Sequence, residues 1–392
     1  MIPYGHHEIN QGDIDCVDQV LRSDYLTQGP CVPAFEHEVA AKVGAKFAVA
    51  SNSATSALHL ACLALDLHQG DRLWTVPNTF VASANCGRYC GAEVDFVDID
   101  QTSWCMSVGK LREKLIQARF DNRLPKVLVP VHFAGQPTEQ EAIWELAKEF
   151  GFKVLEDASH SIGATRHGEP VGSCRWSDIT VFSFHPVKII TTGEGGMALT
   201  NECALADRMA MLRSHGITRD PKRFLGSGAE GGPRECPPAW YYEQQELGYN
   251  YRMTDIHAAL GISQLKRLES LTSRRAELAA RYCEKLQRLP LQLPVLLAGN
   301  GSAHHLYVVR LQTATVTKTH RQVFDELRKM GVGVNLHYMP VHLQPYYRKL
   351  GFESGQYPEA ESHGNTAITL PLYPTLTERE QDQVIGALKA TL

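Results

Sequence analysis

The chain has 392 residues, 43% of them hydrophobic and 21% charged, and its 39 Lys and Arg stand against 43 Asp and Glu for a formal net charge of -4. Such a length and apolar share suit a large domain with a smaller one and exclude disorder as the default, while the lack of a basic excess argues against nucleic acid as a partner. Residues 1–8 show no basic-then-apolar leader, no stretch offers about 20 uninterrupted apolar residues, and the ten cysteines are scattered, so a soluble cytoplasmic protein with reduced thiols and no membrane partner is expected.

In chain order, short β-branched runs at 47–51, 72–77, 93–98, 126–133 and 153–158 alternate with helical patterns. That alternation predicts a mostly parallel sheet flanked by helices. Two more strands, 178–184 and 196–200, are too close for a crossover helix and predict a hairpin-like antiparallel edge, which makes a mixed sheet of seven strands. A helix over 202–214 and a Gly/Pro/charge-rich loop over 220–238 follow, the loop being of the kind that carries function. Amphipathic stretches at 254–269 and 271–289 then lead to a strand at 306–312, a helix at 319–329, a strand at 332–337 and a last helix at 378–392. This tail reads as a smaller α/β domain, dividing the chain into 1–250 and 251–392.

Between Val181 and Thr192 stands one lysine, Lys188, amid apolar and small residues with no other formal charge. Desolvation lowers an amine pKa by up to ~3–5 when burial is complete, which makes it a nucleophile toward an aldehyde near neutral pH. A lysine snorkelling outward from a strand end is the plain alternative. Asp157 closes the strand at 153–158, and open α/β sheets hold ligands at strand ends. A carboxylate there can keep the pyridine nitrogen of a cofactor protonated, so that the ring accepts electrons; as a helix N-cap the same Asp needs no ligand. Ser51-Asn52-Ser53-Ala54-Thr55-Ser56 links a strand to a helix starting near Thr55, and backbone amides with the helix dipole favour an anion at such a turn, although ordinary capping explains these residues too. Ser183 adds a hydroxyl near Lys188.

Two other motifs fail on context. Gly226-Ser227-Gly228-Ala229-Glu230-Gly231 fits G-x-G-x-x-G, but no apolar strand precedes it, which argues against a dinucleotide site. Cys86 with Cys90, His6-His7 and His304-His305 lack the partners that a metal site requires, so no metal is expected.

The strand-end acid, the small-residue turn and the Ser183–Lys188 segment together resemble the fold-type-I pyridoxal phosphate enzymes of the DegT/StrS sugar aminotransferase family, over nearly the whole chain. The most specific pieces are Leu26-Thr27-Gln28-Gly29-Pro30, Glu156-Asp157-Ala158-Ser159-His160, Ser183-Phe184-His185-Pro186-Val187-Lys188, Gly193-Glu194-Gly195-Gly196, Gly248-Tyr249-Asn250-Tyr251-Arg252-Met253 and His337-Tyr338-Met339-Pro340. The resemblance implies pyridoxal 5'-phosphate held as a Schiff base on Lys188, which later moves a proton. It further implies Asp157 at the ring nitrogen, His160 beside the ring oxygen, Ala54, Thr55 and Ser183 at the phosphate, and Phe80 stacked on the ring. Asn250 would reach the phosphate from a neighbouring subunit, which implies a homodimer with shared sites.

Within the family, the phrase from Phe182 to Gly196 and Arg213-Ser214-His215-Gly216-Ile217 are similar to the transaminases of the pseudaminic acid branch. That similarity implies amination of C4 of a UDP-linked 4-keto-6-deoxy-N-acetylhexosamine with L-glutamate as donor. Candidate walls for the substrate are Tyr4, His6, Thr27, Gln28, the 220–238 loop, His337 and Tyr338. Alternatives are another dTDP- or UDP-linked keto-sugar, a dehydratase of the same fold, or a non-enzymatic sensor or scaffold. Related dehydratases carry histidine at the lysine position, and intact Lys188 and Asp157 argue against both of the last two.

Overall fold

The computed structural model describes residues 1–225 and 238–392. Seven short runs build the central sheet: β1 (Phe47–Ser51), β2 (Arg72–Thr75), β3 (Glu93–Phe96), β4 (Val127–Val129), β5 (Lys153–Asp157), β6 (Ile179–Ser183) and β7 (Gly196–Thr200). Their spatial order is β1-β7-β6-β5-β4-β2-β3. Neighbours from β6 to β3 pair in parallel, while β7 is antiparallel to both β6 and β1. The sheet is therefore mixed and mostly parallel, as the alternation predicts. Strands β4 and β6 are buried along their whole length, which is why β4 is wholly apolar and β6 admits only the small hydroxyl residues Thr180 and Ser183 among its apolar ones.

The antiparallel pair β6–β7 forms as expected, but it is not the edge. Strand β1 returns to cover β7, from Phe47 against Thr200 to Ser51 against Gly196. Local spacing reveals the hairpin, whereas the strand that caps it comes from far earlier in the chain.

Helices flank this sheet, and in chain order the helices include α1 (Gln11–Leu21), α2 (Cys31–Val43), α3 (Ala54–Ala64), α4 (Ala82–Tyr89), α5 (Val108–Phe120), α6 (Gln140–Phe150), α7 (Cys203–Arg213), α8 (Asp255–Leu265), α9 (Leu268–Leu286), α10 (His320–Lys329) and α11 (Glu378–Thr391), the last three belonging to the second sheet described below. Their ends follow capping chemistry. Ser53 and Thr254 cap α3 and α8, Thr319 forms a capping box with Gln322 on α10, and α6 stops at Gly151 in the left-handed region. Helix α8 packs on α1 and α2.

A second, antiparallel sheet joins β8 (Leu291–Gln292), β9 (Tyr307–Leu311) and β10 (Ala367–Leu370). Its core includes Tyr282 and Leu286 of α9, Val323 and Leu327 of α10, and Val384 and Leu388 of α11. The strand expected over 332–337 does not form. Val332 pairs only with Ile2 and Asn335 only with Thr369, and β10 takes the place beside β9. The apolar alternation there serves packing, since Val332 and Val334 are buried. Gly333 admits the N-terminal segment so closely that a Cβ would stand 2.6 Å from the Ile2 carbonyl oxygen. Among the described residues no helix is long and apolar enough to cross a membrane.

Candidate active site

The C-terminal ends of β5 and β6 and the N-terminus of α3 open into one cavity of about 900 Å³. Asp157, Lys188, His160, Ser183, Ala54, Thr55, Phe80, Tyr4, His337 and Tyr338 all line it, although they are scattered along the chain.

Asp157 is the last residue of β5 and is 5% exposed. Its Oδ2 accepts from Ser83 Oγ at 2.6 Å, and Oδ1 accepts the Ser159 N–H at 3.1 Å. Ser83 in turn lies 2.8 Å from Thr79 Oγ1, so a buried hydroxyl chain on α4 and the turn before it fixes the carboxylate. The two bonds fix the orientation of the carboxylate. Its neighbour Glu156 faces the other side, toward Gln140, Ser177 and Thr180, because strand side chains alternate.

Lys188 follows β6 in a short turn, its N–H bonded to the His185 carbonyl at 2.9 Å. Burial strips water from the amine and lowers its pKa to about 8, and the charge of Asp157 offsets part of that. The side chain stays half-buried because it lines the cavity. The outward, snorkelling lysine is thereby excluded.

His160 accepts the Ala134 N–H on Nδ1 at 3.3 Å, and its Nε2 lies 3.2 Å from the Tyr338 hydroxyl. Burial first, then the charge of Lys188, holds its pKa well below the ordinary value. It is a neutral ring with the proton on Nε2. Burial and the nearby Asp157 keep the Tyr338 phenol protonated. His305 packs on His160 with ring centroids 4.4 Å apart.

At α3, Ser53 Oγ takes the Ser56 N–H at 3.1 Å. Ala54 and Thr55 are then the first helical residues, whose amides have no partner within the helix. Strand β7 begins against this turn at Gly196, where a Cβ would stand 2.4 Å from Ala54 N; only glycine admits so close an approach. Ser183, 7% exposed, ends β6 on the same side. A phosphate finds amides, a helix dipole and hydroxyls here, while an aldehyde finds Lys188 and a ring nitrogen finds Asp157. The residues present fit pyridoxal 5'-phosphate.

The remaining expected residues divide. Phe80 is 59% exposed with its ring 6.5 Å from Tyr338, a flat apolar face open to the cavity. Tyr4 and His337 stand 5.5 Å apart, and His337 is tied to Thr369 Oγ1 at 2.8 Å. His6 stacks on His7, outside the cavity wall. Thr27 pairs with Thr254, Gln28 adopts a φ of 56°, and both lie on the surface beyond the wall formed by one chain. Asn250 is exposed and bridges Ser214. Residues 226–237, which hold most of the 220–238 loop and the G-x-G-x-x-G phrase, lie outside the described residues. Sequence reasoning missed Thr79, Ser83, Asn335 and His305. Ser83 could have been found as the second of two hydroxyls one helical turn apart, whereas His305 gave no local signal.

The DegT/DnrJ/EryC1/StrS aminotransferase family matches residues 7–389. The spore coat polysaccharide biosynthesis protein SpsC of Bacillus subtilis is 37% identical over 392 residues, covering 99% of this chain and 96% of its own. Among solved structures, Helicobacter pylori PseC, described as an aminotransferase involved in the biosynthesis of pseudoaminic acid, superposes with a TM-score of 0.88 at 30% identity, covering 100% of this chain and 98% of PseC. The Streptococcus pneumoniae sugar aminotransferase Spr1654 in its PMP-form gives a TM-score of 0.88 at 29% identity, covering 100% and 99%.

Proposed function

This chain belongs to the DegT/DnrJ/EryC1/StrS aminotransferase family, and we propose that it moves the amino group of L-glutamate to C4 of a UDP-linked 4-keto-6-deoxy-N-acetylhexosamine, a step of pseudaminic acid synthesis. It is a pyridoxal phosphate-dependent sugar aminotransferase of the fold-type-I class. The substrate assignment is supported by the similarity to PseC and by the phrase from Phe182 to Gly196.

The single observation that carries the residue roles is the placement of Lys188 and Asp157 on one cavity, with the lysine pKa at about 8. Bound pyridoxal phosphate supplies an electron sink for the amino carbon. Lys188 holds the cofactor covalently and, once displaced by the donor, carries the α-proton. At about 8 its amine is close enough to neutral pH both to release and to take a proton. Asp157, pinned by Ser83 and Ser159, keeps the ring nitrogen protonated. Neutral His160 lies beside the ring oxygen, Ala54, Thr55 and Ser183 hold the phosphate, and the exposed Phe80 ring covers one face. Tyr4, His337 and Tyr338 wall the sugar. Asn250, exposed on one chain, reaches the site of a second subunit in a homodimer, and His6, Thr27 and Gln28 contribute from outside the single-chain wall. Residues 1–250 form the cofactor domain and 251–392 the smaller one.

A mass-resolved assay of UDP- and dTDP-linked 4-keto-6-deoxy sugars with L-glutamate tests the reading. Preferred amination of the UDP-N-acetyl substrate supports it. Preference for a dTDP sugar would replace the substrate while leaving the reaction, and loss of a hydroxyl without amine gain would make the protein a dehydratase.

A further inference from the structure

His305 has no part in the roles above, yet it is 4% exposed, lines the cavity and packs its ring 4.4 Å from that of His160. Its Nδ1 is buried without a hydrogen-bond partner among the described residues. A buried unmade N–H is rarer than an unmade lone pair, so the ring proton belongs on Nε2. A neutral ring follows too from burial first and then from the nearby charges of Lys188 and Arg275, which press its pKa well below the ordinary value. His305 is thus a hydrogen-bond donor with no acceptor among the described residues.

Behind it lies Arg275, 1% exposed. Its Nη1 donates to the carbonyls of His305 at 3.2 Å and Leu372 at 3.0 Å. Its hydrogen-bond partners are backbone carbonyls, and no carboxylate among the described residues forms an ion pair with it. A buried cation without a counter-charge is costly. Arg275 and Lys188 also border a shared void of about 10 Å³, room for no more than a water molecule. The described wall of the main cavity contains no arginine, and its carboxylates are Asp157 and Glu194; a carboxylate entering on the side of His305 meets the positive charge of Lys188 and Arg275 and the ring donor of His305.

We propose that His305 Nε2–H binds the α-carboxylate of the amino donor, in the positive field of Arg275, and so determines that donors are α-amino acids. The α-carboxylate is the one concerned because it shares a carbon with the amine that must reach Lys188. This inference rests on the aminotransferase reading.

The test follows loss of the visible absorption of the lysine-bound cofactor as L-glutamate, or its α-amide, is added to the holoenzyme. The His305→Phe variant is expected to raise the apparent Kd for L-glutamate about 10- to 100-fold, the worth of a hydrogen bond to a charged group. Discrimination between glutamate and its α-amide should shrink by the same factor. Return of the absorption when keto-sugar is added to the aminated form should change less than about twofold. His305→Gln, which can present an N–H, should recover part of the affinity and guards against a folding defect in the Phe variant. Equal losses in both half-reactions, or undiminished discrimination against the α-amide, overturn the inference. A wild-type holoenzyme whose absorption does not respond to L-glutamate at all would instead overturn the donor reading, and this inference with it.

Discussion

The active-site lysine should cost the cofactor-free protein stability, and removing it should show this. At pH 7 Lys188 is protonated in both folded and unfolded chains, and its pKa falls from 10.5 to about 8 on folding because burial disfavours the charge. At about 1.36 kcal/mol per pH unit, that drop is a penalty of about 3 kcal/mol. Contact with cavity water and the loss of a partner for Asp157 discount the gain on removal to about 2 kcal/mol. For a lysine with a lowered pKa the penalty is whole below about 8. It declines as pH rises to 10.5, because the unfolded chain then holds a proton the folded one has released. Lys188→Met, which keeps most of the volume, is expected to make the cofactor-free protein more stable by about 2 kcal/mol at pH 7. The two proteins should converge by pH 10.5. Urea denaturation of both at pH 7, 9 and 10.5, followed by tryptophan fluorescence, gives the comparison. A Met variant no more stable than wild type at pH 7, or one whose advantage survives at pH 10.5, would refute the desolvated amine.

Gly196→Ala places a Cβ 2.4 Å from Ala54 N and from Ser53 C, so the α3 turn must move at a cost of about 1–3 kcal/mol; cofactor affinity measured by dialysis should fall sharply, and a wild-type affinity would remove the phosphate from this turn. Ser83→Ala deletes the 2.6 Å bond to Asp157, worth about 1.5–3 kcal/mol to a charged acceptor. Turnover should fall about tenfold or more while Ser83→Thr retains most of it, and an unchanged kcat in the Ala variant would make the hydroxyl chain irrelevant to the carboxylate. Lys188→Ala and Asn250→Ala proteins, each expected to be inactive or nearly so, should regain about a quarter of wild-type activity when unfolded and refolded together if sites are shared across a two-fold dimer; no recovery would place Asn250 outside a neighbouring site.

What the sequence made legible is what the chain decides locally. Five apolar runs with helices between them are enough for a parallel sheet, because strands buried on both faces must be apolar and must be joined by crossovers. Lys188 and Asp157 stand out because a charge in an apolar context is rare and expensive, so its presence calls for a partner. Pairing between distant segments left no such mark. Nothing in Phe47-Ala48-Val49-Ala50-Ser51 tells that it docks on β7, and the alternation of Val332 with Val334 describes packing against the N-terminal segment as well as it describes a strand.

The histidines follow the same division. His304-His305 reads on its own as a failed metal pair, because ligands are counted along the chain and neither ring announces its direction. The fold settles it: His304 adopts a φ of 46°, and Gly135 lets the backbone pass so close that a Cβ there would stand 2.8 Å from His304 N and 2.9 Å from His305 N. That glycine, distant in sequence, brings His305 onto His160, and Arg275 fixes the same carbonyls from behind. The cofactor machinery is thus written as local motifs on strand ends. The part of the site that meets the amino donor is assembled by backbone approach between segments that carry no motif at all, and substrate choice can therefore change without disturbing Lys188, Asp157 or the α3 turn.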